Sequence, residues 1–550
     1  MKNKIIVLLA GSLLASFTAA KAASYSLVFA TNNYTSGSMT VSTASGNKTV
    51  NYRYYKNIVY VANPVDTNYE TMNVFVPTNI AGVNVSTTNV PILLDINVGG
   101  YTSSAAGSNP SSDGSLAVAA GYVVVEPGCR GRDNYSASLG YYGKAPAAMV
   151  DLKSVVRYIR YNAGVFPGNV NWIISSGSSA GGALSALLGA SGDSSLYSSY
   201  LQAVGAATNV SDSIYAAGVY CPIMNLDHAD MCYEYEFGTI AMNGSNVNQT
   251  LSGELKSAFT NYQNGLACTG KNGFGIITAS NFETYILNIY LIPSANQYLQ
   301  SLSASSLTSY LSGHTWITWS NNTAAFTYTN FAAYIGRSKS LPAFDAFDLS
   351  TAECIEFGNT TTNARHFTDF SLQYASGNSA VTVDTNLQTV VNMMNPMYFI
   401  GLTNSGCAKY WWVRHGTKDT DTSRMVIIDL AASLENQGKS VDTWLYWDGA
   451  HGANDDPGRF VNWMGDVISR TNFQVIAISR QTNDVALAWS TYPGLTNFVQ
   501  AASSLGGTNV FTTISSQIVP AGFGAITTNY TDAGGATNGS SRFYRIIRYY

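Results

Sequence analysis

A serine in a G-x-S-x-G pentapeptide constrains this sequence more than any other feature. The motif occupies residues 177–181 (GSSAG) and occurs once. It follows a short apolar run, residues 172–174 (WII), which is typical of a buried strand, and it precedes an Ala- and Leu-rich stretch, residues 183–189, which is typical of a helix. A strand that turns sharply into a helix at such a pentapeptide holds the serine hydroxyl above the edge of a sheet. We therefore interpret Ser179 as a nucleophile and not as an accident of a glycine-rich chain.

The surrounding pattern predicts an α/β fold. Short apolar runs at residues 92–94 (ILL) and 121–125 (GYVVV) are typical of buried strands, and residues 145–161 carry apolar side chains at helical spacing. Residues 24–100 are predicted to be mostly strands. Strands that alternate with helices predict a mostly parallel sheet covered on both faces. Together with the pentapeptide, this pattern predicts an α/β-hydrolase fold.

A serine nucleophile needs a general base, and His451 is the candidate. It lies in residues 447–452 (WDGAHG), directly after a predicted strand at residues 444–446 (WLY). From such a loop an imidazole can reach the serine across the top of the sheet. His415 is the competitor, but it would break the Ser, Asp, His order of this fold, so we predict a structural role for it.

The acid that orients the base is predicted to follow the strand at residues 410–414 (YWWVR). Asp419 and Asp421 both stand in the loop behind this strand, and a helix is predicted from about Ser423 to Gln437. We assign Asp419 to the triad because it stands three residues after the glycine that turns the chain. Asp421 is then free for substrate, with a solvated loop charge or a helix cap as the alternative.

Stabilisation of the oxyanion requires main-chain donors close to the serine. The amide of Ala180 is one candidate, and the glycine-rich segment at residues 97–101 (NVGGY), which contains Gly99 and Gly100, is the second. Glycines let amides approach a developing negative charge without a Cβ atom in the way. An ordinary Gly-Gly turn is the alternative interpretation.

The sequence between the serine and the acid is far longer than two or three βα units need. After a further predicted strand at residues 214–223, we place an inserted lid at residues 225–394, rich in aromatic side chains, between two parts of the core at 23–224 and 395–470. Residues 473–550 alternate apolar and polar residues without helical spacing, which predicts a small β-sandwich.

The N-terminus has the pattern of a secretory signal. Lys2 and Lys4 precede an apolar stretch and a small-x-small site, which predicts cleavage after Ala22 and a secreted or periplasmic protein without membrane insertion. Charged residues are only 11% of the chain and the net charge is −4, so no basic face is expected to bind nucleic acid.

The cysteines and histidines have no spacing that is typical of a metal site. In an oxidising compartment the six cysteines allow up to three disulfides, and the sequence leaves their pairing open. No metal or organic cofactor is required by the predicted chemistry. The residues concerned are Cys129, Cys221, Cys232, Cys268, Cys354 and Cys407, with His228, His314, His366, His415 and His451.

Several motifs resemble the bacterial subtype-B tannases, and they fall in the family's order over nearly all of residues 50–465. They are residues 70–74 (ETMNV), 99–101 (GGY), 127–132 (PGCRGR), 143–148 (GKAPAA), 178–190 (SSAGGALSALLGA), 220–223 (YCPI), 342–345 (PAFD) and 414–419 (RHGTKD). The resemblance implies a serine esterase that acts on galloyl esters, with a polyphenol ester or a small ester as its substrate.

The resemblance also implies which residues bind the galloyl group. In the family a lysine and a glutamate of the lid, with an aspartate two residues after the triad acid, hold the three phenolic hydroxyls. These correspond to Lys339, Glu353 and Asp421. Carboxylates accept hydrogen bonds from phenols, and an ammonium group can donate to a phenol oxygen. Without the resemblance, Lys339 and Glu353 would be interpreted as surface charges.

The sequence departs from the family in two places. Residues 449–452 (GAHG) are smaller around the base than the Pro-His pattern of the family, which is expected to widen the pocket. The tail at residues 473–550 resembles the fibronectin-like sandwiches of exported bacterial proteins. Binding to a polymer, docking to the cell surface and spacing of the enzyme all stay open as its role.

Three other functions compete with this interpretation. An esterase for feruloyl or acetyl esters of plant material is the closest, and Lys339, Glu353 and Asp421 argue against it because ferulate would leave some of them unpaired. A non-catalytic surface or carbohydrate-binding protein is the second, and the complete set of Ser179, Asp419 and His451 argues against it. A peptidase comes last because no peptidase-specific element is present.

Overall fold

The computed structural model describes residues 24–403, 406–492, 495–504, 511–523, 526–539 and 541–549. The predicted signal peptide, residues 1–22, lies outside these ranges. Within them, none of the helices combines the length and the apolar character that crossing a bilayer would require.

The strands of the described residues fall into a large N-terminal group and a small C-terminal group. In chain order they are β1 Thr35–Thr43, β2 Gly46–Val59, β3 Thr71–Ile80, β4 Val83–Asn84, β5 Ile92–Ile96, β6 Val123–Pro127, β7 Tyr135–Ser136, β8 Gly140–Tyr141, β9 Ile173–Ser178, β10 Ala216–Tyr220, β11 Thr269–Gly270, β12 Gly275–Ile276, β13 Thr318–Ser320, β14 Thr323–Ala325, β15 Tyr410–Gly416, β16 Ser440–Tyr446, β17 Val475–Gln481, β18 Asp484–Thr491, β19 Thr496–Ala502, β20 Thr512–Thr513, β21 Ile526–Asp532 and β22 Phe543–Tyr549.

The main sheet has the strand order β1-β2-β3-β6-β5-β9-β10-β15-β16, with β4 paired to β3. Its first part is antiparallel, through β1, β2, β3 and β6. From β6 onward through β5, β9, β10, β15 and β16 all pairs are parallel. Because the carboxyl ends of parallel strands meet at one edge, the loops that follow β5, β9, β10, β15 and β16 lie at the same edge of the sheet.

The α-helices of the described residues cover the sheet and fill the interval between β10 and β15. They are α1 Ser112–Ala119, α2 Ala147–Tyr161, α3 Ala180–Ala190, α4 Ser198–Ala203, α5 Leu226–Phe237, α6 Gln249–Leu266, α7 Ala279–Ile286, α8 Ile292–Ser301, α9 Ala304–Gly313, α10 Tyr328–Ile335, α11 Ala352–Glu356, α12 Asp369–Ser376, α13 Thr385–Met393, α14 Pro396–Gly401, α15 Arg424–Asn436 and α16 Pro457–Asn472.

Two consecutive tryptophans of β15 show that both faces of the sheet are covered. The ring of Trp411 lies against Gly189 of α3, where a Cβ atom would come within 2.7 Å of it. The ring of Trp412 packs on Phe460 of α16 at 5.9 Å between centroids. Successive side chains of a strand point to opposite faces, so α3 and α16 lie on opposite sides. This is the predicted α/β-hydrolase architecture.

The interval that the sequence assigns to a lid is largely helical. Helices α5 to α13 lie between β10 and β15, with the short hairpins β11-β12 and β13-β14 among them, and α14 packs against α3 and α15 of the core. Buried aromatic side chains of this segment, among them Phe259, Phe282 and Phe331, join the same apolar core as the sheet. The inserted segment is thus anchored to the core through packed side chains.

The C-terminal residues form two antiparallel sheets, with the orders β17-β18-β21 and β20-β19-β22. Leu487, Trp489 and Val499 form a small separate core between them. The buried Trp489 indole donates to Asn497 Oδ1 at 3.1 Å, so its polar atom is satisfied. This agrees with the predicted all-β tail.

All six cysteines are buried and carry free thiols in this structure. The disulfides that the sequence allowed are therefore not formed. Burial raises the pKa of Cys221 to about 12, and Asp419 beside it acts in the same direction. The buried thiols act as small apolar side chains rather than as reactive groups.

Candidate active site

Ser179 stands on a strained turn between β9 and α3. Its backbone has φ 59° and ψ −124°, which is rare for a residue with a side chain. The glycines on either side permit the turn: a Cβ atom on Gly177 would lie 2.4 Å from the carbonyl oxygen of Gly181, and one on Gly182 would lie 2.4 Å from that of Tyr220. The Ser179 amide donates to Tyr220 O at 3.0 Å. The predicted strand-turn-helix geometry is therefore present.

The three residues assigned to the triad lie in one hydrogen-bonded row. His451 Nε2 lies 2.9 Å from Ser179 Oγ. On its other side, His451 Nδ1 lies 2.8 Å from Asp419 Oδ2. Asp419 is fully buried, whereas the side chain of His451 is 27% exposed. An imidazole held between a carboxylate and a hydroxyl is able to take the hydroxyl proton.

The acid loop is held by both the base loop and the inserted segment. The Lys418 amide donates to Gly449 O at 2.8 Å, which ties the loop after β15 to the loop after β16. Arg424 Nη1 donates to Thr417 O at 3.0 Å. The guanidinium of Arg424 in turn pairs with Glu236 of α5 at 2.5 Å, and both side chains are buried. The inserted segment thus helps to fix the position of Asp419.

His415 lies behind the acid and not beside the serine. Its Nδ1 lies 3.3 Å from Asp419 Oδ2, and the ring is fully buried. Burial lowers the pKa of His415 to about 4, although the charge of Asp419 opposes this, so the ring is neutral near pH 7. The ring therefore does not contact the serine, and a structural role for His415 stays a prediction.

The electrostatics of the row suit a general base. Burial by itself would lower the pKa of His451, but the hydrogen bond and the charge of Asp419 raise it above its ordinary value of 6.5. Burial of Asp419 acts to raise its pKa, but the imidazoles of His415 and His451 hold that pKa below the ordinary value. The carboxylate therefore stays ionised and can stabilise the imidazolium that forms during proton transfer.

The segment that contains Gly99 and Gly100 lies against the start of α3. The Gly181 amide donates to Val98 O at 2.9 Å, which brings the two candidate oxyanion elements together. A Cβ atom on Gly99 would meet nothing within 4 Å, so this residue faces open space. The amide of Ala180, in the first turn of α3, has no acceptor within the helix. The two candidate elements are therefore in contact beside the turn that carries Ser179, and their role as oxyanion donors stays a prediction.

The three residues implied for substrate binding are close enough for the charges of Lys339 and Asp421 to act on Glu353. Asp421 Oδ2 lies 3.7 Å from His451 Nδ1 and its side chain is 47% exposed. Glu353, on α11, is only 7% exposed, so it is not the surface charge that its sequence context alone would suggest. Burial raises the pKa of Glu353, while the charge of Lys339 lowers it and that of Asp421 raises it. The ammonium of Lys339 lies 4.1 Å above the ring of Phe344.

Two charged residues of this neighbourhood are given no role by the sequence. Arg132 follows β6 and contributes to the electrostatic environment of Glu353. Glu356 stands one helical turn after Glu353 and is fully buried, and burial raises its pKa to about 8. In the sequence, Arg132 stands out only as the last residue of the motif at residues 127–132. Its contacts become visible only in the tertiary structure.

Three groups of side chains in the described residues have potential metal ligands within 4.8 Å of one another. Two of them contain Asp419 and belong to the row already described. The third is hydrogen-bonded internally, since Asp345 Oδ1 lies 2.8 Å from His366 Nδ1 and accepts from the Cys354 thiol at 3.3 Å. Its members therefore already serve as partners for one another.

Comparison with known proteins gives the following similarities. A family model described as BD-FAE matches residues 78–253. The structure of Fusobacterium nucleatum tannase is 34% identical with a TM-score of 0.70, and the match covers 81% of this chain and 100% of that one. The native structure of tannin acyl hydrolase from Lactobacillus plantarum is 33% identical with a TM-score of 0.70, over 80% of this chain and 98% of that one.

A structure of a tannin acyl hydrolase in complex with ethyl gallate is also 33% identical, with a TM-score of 0.70 and the same coverage of 80% and 98%. None of the curated proteins matches the chain.

Proposed function

Because this chain belongs to the tannases, carboxylic ester hydrolases with the α/β-hydrolase fold, we propose that it hydrolyses galloyl esters through an acyl-enzyme on Ser179. The observation that carries the proposal is the row of contacts from Ser179 Oγ through His451 to Asp419, at 2.9 and 2.8 Å. Gallate esters are the proposed substrates because a relative was crystallised with ethyl gallate.

The reaction proceeds in two acyl-transfer steps. His451 Nε2 takes the proton of Ser179 as Oγ attacks the ester carbonyl carbon, and the amide of Ala180 with those of the loop at Gly99 and Gly100 holds the oxyanion. The tetrahedral intermediate breaks to release the alcohol, which receives the proton from His451. Water then attacks the acyl-enzyme with the same base and releases gallate. Asp419 keeps the imidazole in the tautomer with its proton on Nδ1.

The galloyl ring is proposed to lie among Lys339, Glu353 and Asp421. Glu353 supplies specificity because its side chain is buried. A charged group that loses its solvent requires a hydrogen-bond partner. A phenol hydroxyl of gallate can donate to this carboxylate, whereas an unsubstituted ring leaves it unpaired. Feruloyl esters are the closest competing substrates. They are expected to be poorer ones because they lack the full set of three hydroxyls.

Replacement of Glu353 by glutamine tests the galloyl assignment. The charge-assisted hydrogen bond from the substrate becomes a neutral one, so we expect kcat/KM for methyl gallate to fall about 10- to 100-fold. Methyl benzoate, which has no ring hydroxyls, should be hydrolysed within about threefold of the wild-type rate. Steady-state release of the free acid measures both values.

Glu254→Gln is the matched control, because Glu254 is an exposed glutamate of α6 in the same inserted segment. It should leave both substrates unaffected. An equal loss on methyl gallate and methyl benzoate in Glu353→Gln would show a general structural role and would overturn the assignment of Glu353 to the phenol hydroxyls.

We further propose that the enzyme is exported and that residues 1–22 are removed. The positive residues Lys2 and Lys4, the apolar stretch and the small-x-small site support this proposal. The C-terminal sheets are proposed to hold the enzyme on a polymer or at the cell surface. Edman sequencing or intact-mass measurement of protein recovered from the culture medium tests whether the mature chain begins after Ala22.

A further inference from the structure

The loop that carries the candidate oxyanion donors is packed tightly against the segment after β6. Ser104 and Cys129 exchange backbone hydrogen bonds of 3.0 and 2.8 Å, as in an antiparallel bridge. Gly131 lies so close to the loop that a Cβ atom would come within 2.0 Å of the Ser103 amide nitrogen. The position of the oxyanion loop therefore depends on the motif at residues 127–132.

Arg132 ends this motif and binds two consecutive carbonyl groups of the loop. Its backbone amide donates to Tyr101 O at 2.9 Å, and its side-chain Nε donates to Gly100 O at 2.6 Å. Its own carbonyl accepts from Lys144 Nζ at 2.7 Å, and the same ammonium is bound by Asn363 Oδ1 at 2.8 Å. Arg132 is thus itself held in place by residues outside the loop.

The loop adopts a conformation that needs such support. Gly100 has φ 53° and Tyr101 has φ 58°, and the left-handed region is unfavourable for a tyrosine. Strained conformations persist where the surroundings determine them fully. The Tyr101 hydroxyl donates to Ile223 O at 2.6 Å, and the Arg132 contacts hold the other side.

The contact to Gly100 O also sets the direction of an amide. In a trans peptide the carbonyl and the following N–H point in opposite directions, so the guanidinium that binds Gly100 O turns the Tyr101 N–H away from Arg132. Among the described residues, no protein acceptor receives a hydrogen bond from the amides of Gly99, Gly100 or Tyr101. These donors stay available for a ligand at the serine.

We propose that Arg132 is a positioning residue that holds the oxyanion loop, through Gly100 O, in the conformation that presents its amides to the ester carbonyl oxygen. The assignment of this loop to the oxyanion rests on the proposed function. The role itself applies to any ester that Ser179 attacks, because every such reaction develops charge on the carbonyl oxygen.

Two buried carboxylates near Arg132 explain why the residue is a cation. Glu356 is fully buried, and neither of its carboxylate oxygens has a hydrogen-bond partner in the described residues. The charges of Lys144 and Arg132 act to stabilise its ionised form, as Arg132 also does for Glu353. A neutral side chain at position 132 would lose both the hydrogen bond to the loop and this charge balance.

The test compares Arg132→Gln and Arg132→Lys with wild type on two esters, methyl gallate and p-nitrophenyl acetate. Loss of one oxyanion donor costs about 10²–10³ in kcat, and a loosened loop should cost part of this. We expect kcat to fall about 10- to 100-fold on both esters in Arg132→Gln, with KM within about threefold. Arg132→Lys keeps the charge but lacks the planar Nε donor, so we expect most of the loss to remain.

Two further measurements separate positioning from folding and from substrate contact. Affinity for phenylboronic acid, which forms a tetrahedral adduct with a serine, should fall in parallel with kcat, and added guanidinium should restore part of the activity of Arg132→Ala. Arg160→Gln is the control, since Arg160 also binds backbone carbonyls, Val170 O and Ser211 O, but on α2 away from the serine.

Each result of these measurements corresponds to a different role for Arg132. A loss confined to methyl gallate, or a rise in KM with unchanged kcat, would overturn positioning in favour of direct contact with the galloyl ring. Unchanged kcat on both esters would overturn the role altogether. If wild type hydrolyses p-nitrophenyl acetate but not methyl gallate, the proposed substrate fails while the effect of Arg132 on p-nitrophenyl acetate still decides this inference.

Discussion

Replacement of Ser179 by alanine is expected to abolish turnover of methyl gallate, with kcat at least about 10⁵-fold below wild type. The variant loses the atom that is proposed to form the acyl-enzyme, and water in its place lacks the alignment that Ser179 Oγ has with His451 Nε2 at 2.9 Å. Substrate binding should survive, because the residues proposed to bind the galloyl ring are unchanged. Discontinuous gallate assays over long incubations measure the residual rate.

Ser178→Ala is the matched control, because Ser178 stands on the same turn at the end of β9. It should retain wild-type turnover within a few-fold. Activity of Ser179→Ala close to that of wild type would show that another residue, or another site, carries the reaction.

Replacement of Asp419 by asparagine is expected to lower kcat about 10⁴-fold while the fold is retained. The amide removes the charge that stabilises the imidazolium and can hold His451 in the wrong tautomer. Burial at this position is complete, so no water can replace the lost charge. Asp455→Asn is the control, since Asp455 is exposed in the same loop as His451. A loss below tenfold in Asp419→Asn would contradict its assignment.

The pH dependence of kcat/KM also tests the pairing of Asp419 with His451. Asp419 raises the pKa of His451 above 6.5, so the base is protonated and inactive below that raised value. Wild-type kcat/KM should therefore rise with pH through an acid limb above pH 6.5, and in Asp419→Asn the limb should move to lower pH. The direction follows because removal of the carboxylate destabilises the charged imidazole.

The core and the row of Ser179, His451 and Asp419 were predictable because their signals are local. The turn at Ser179 needs small neighbours within two residues, and these stand next to it in the sequence. The acid and the base each follow an apolar strand, and parallel strands bring their carboxyl ends to one edge whatever lies between them. A long insertion between β10 and β15 therefore does not disturb the prediction.

The pocket was less predictable because its residues become buried only through distant packing. Glu353 has the local sequence of a surface helix, and its burial depends on how α11 packs against the core. Its role could be expected only from the resemblance to a family. The contacts of Arg132 could not be predicted from local sequence either, since its partners Gly100 and Tyr101 lie about thirty residues earlier in the chain.

The six cysteines show that composition alone does not predict disulfide formation. An even number of cysteines in an exported chain allows disulfides, yet each thiol here packs as a buried apolar group. Pairing requires two Cα atoms within about 7 Å, and this distance is a property of the tertiary structure.

The most direct test of the proposed galloyl esterase function is the ratio of kcat/KM for methyl gallate to that for methyl ferulate, measured with the wild-type enzyme. A site that pairs three phenol hydroxyls with Lys339, Glu353 and Asp421 should favour methyl gallate by at least about 100-fold, because ferulate keeps only one ring hydroxyl and leaves polar groups of the site unpaired. Equal or better hydrolysis of methyl ferulate would leave the serine hydrolase intact but would contradict its assignment to galloyl esters.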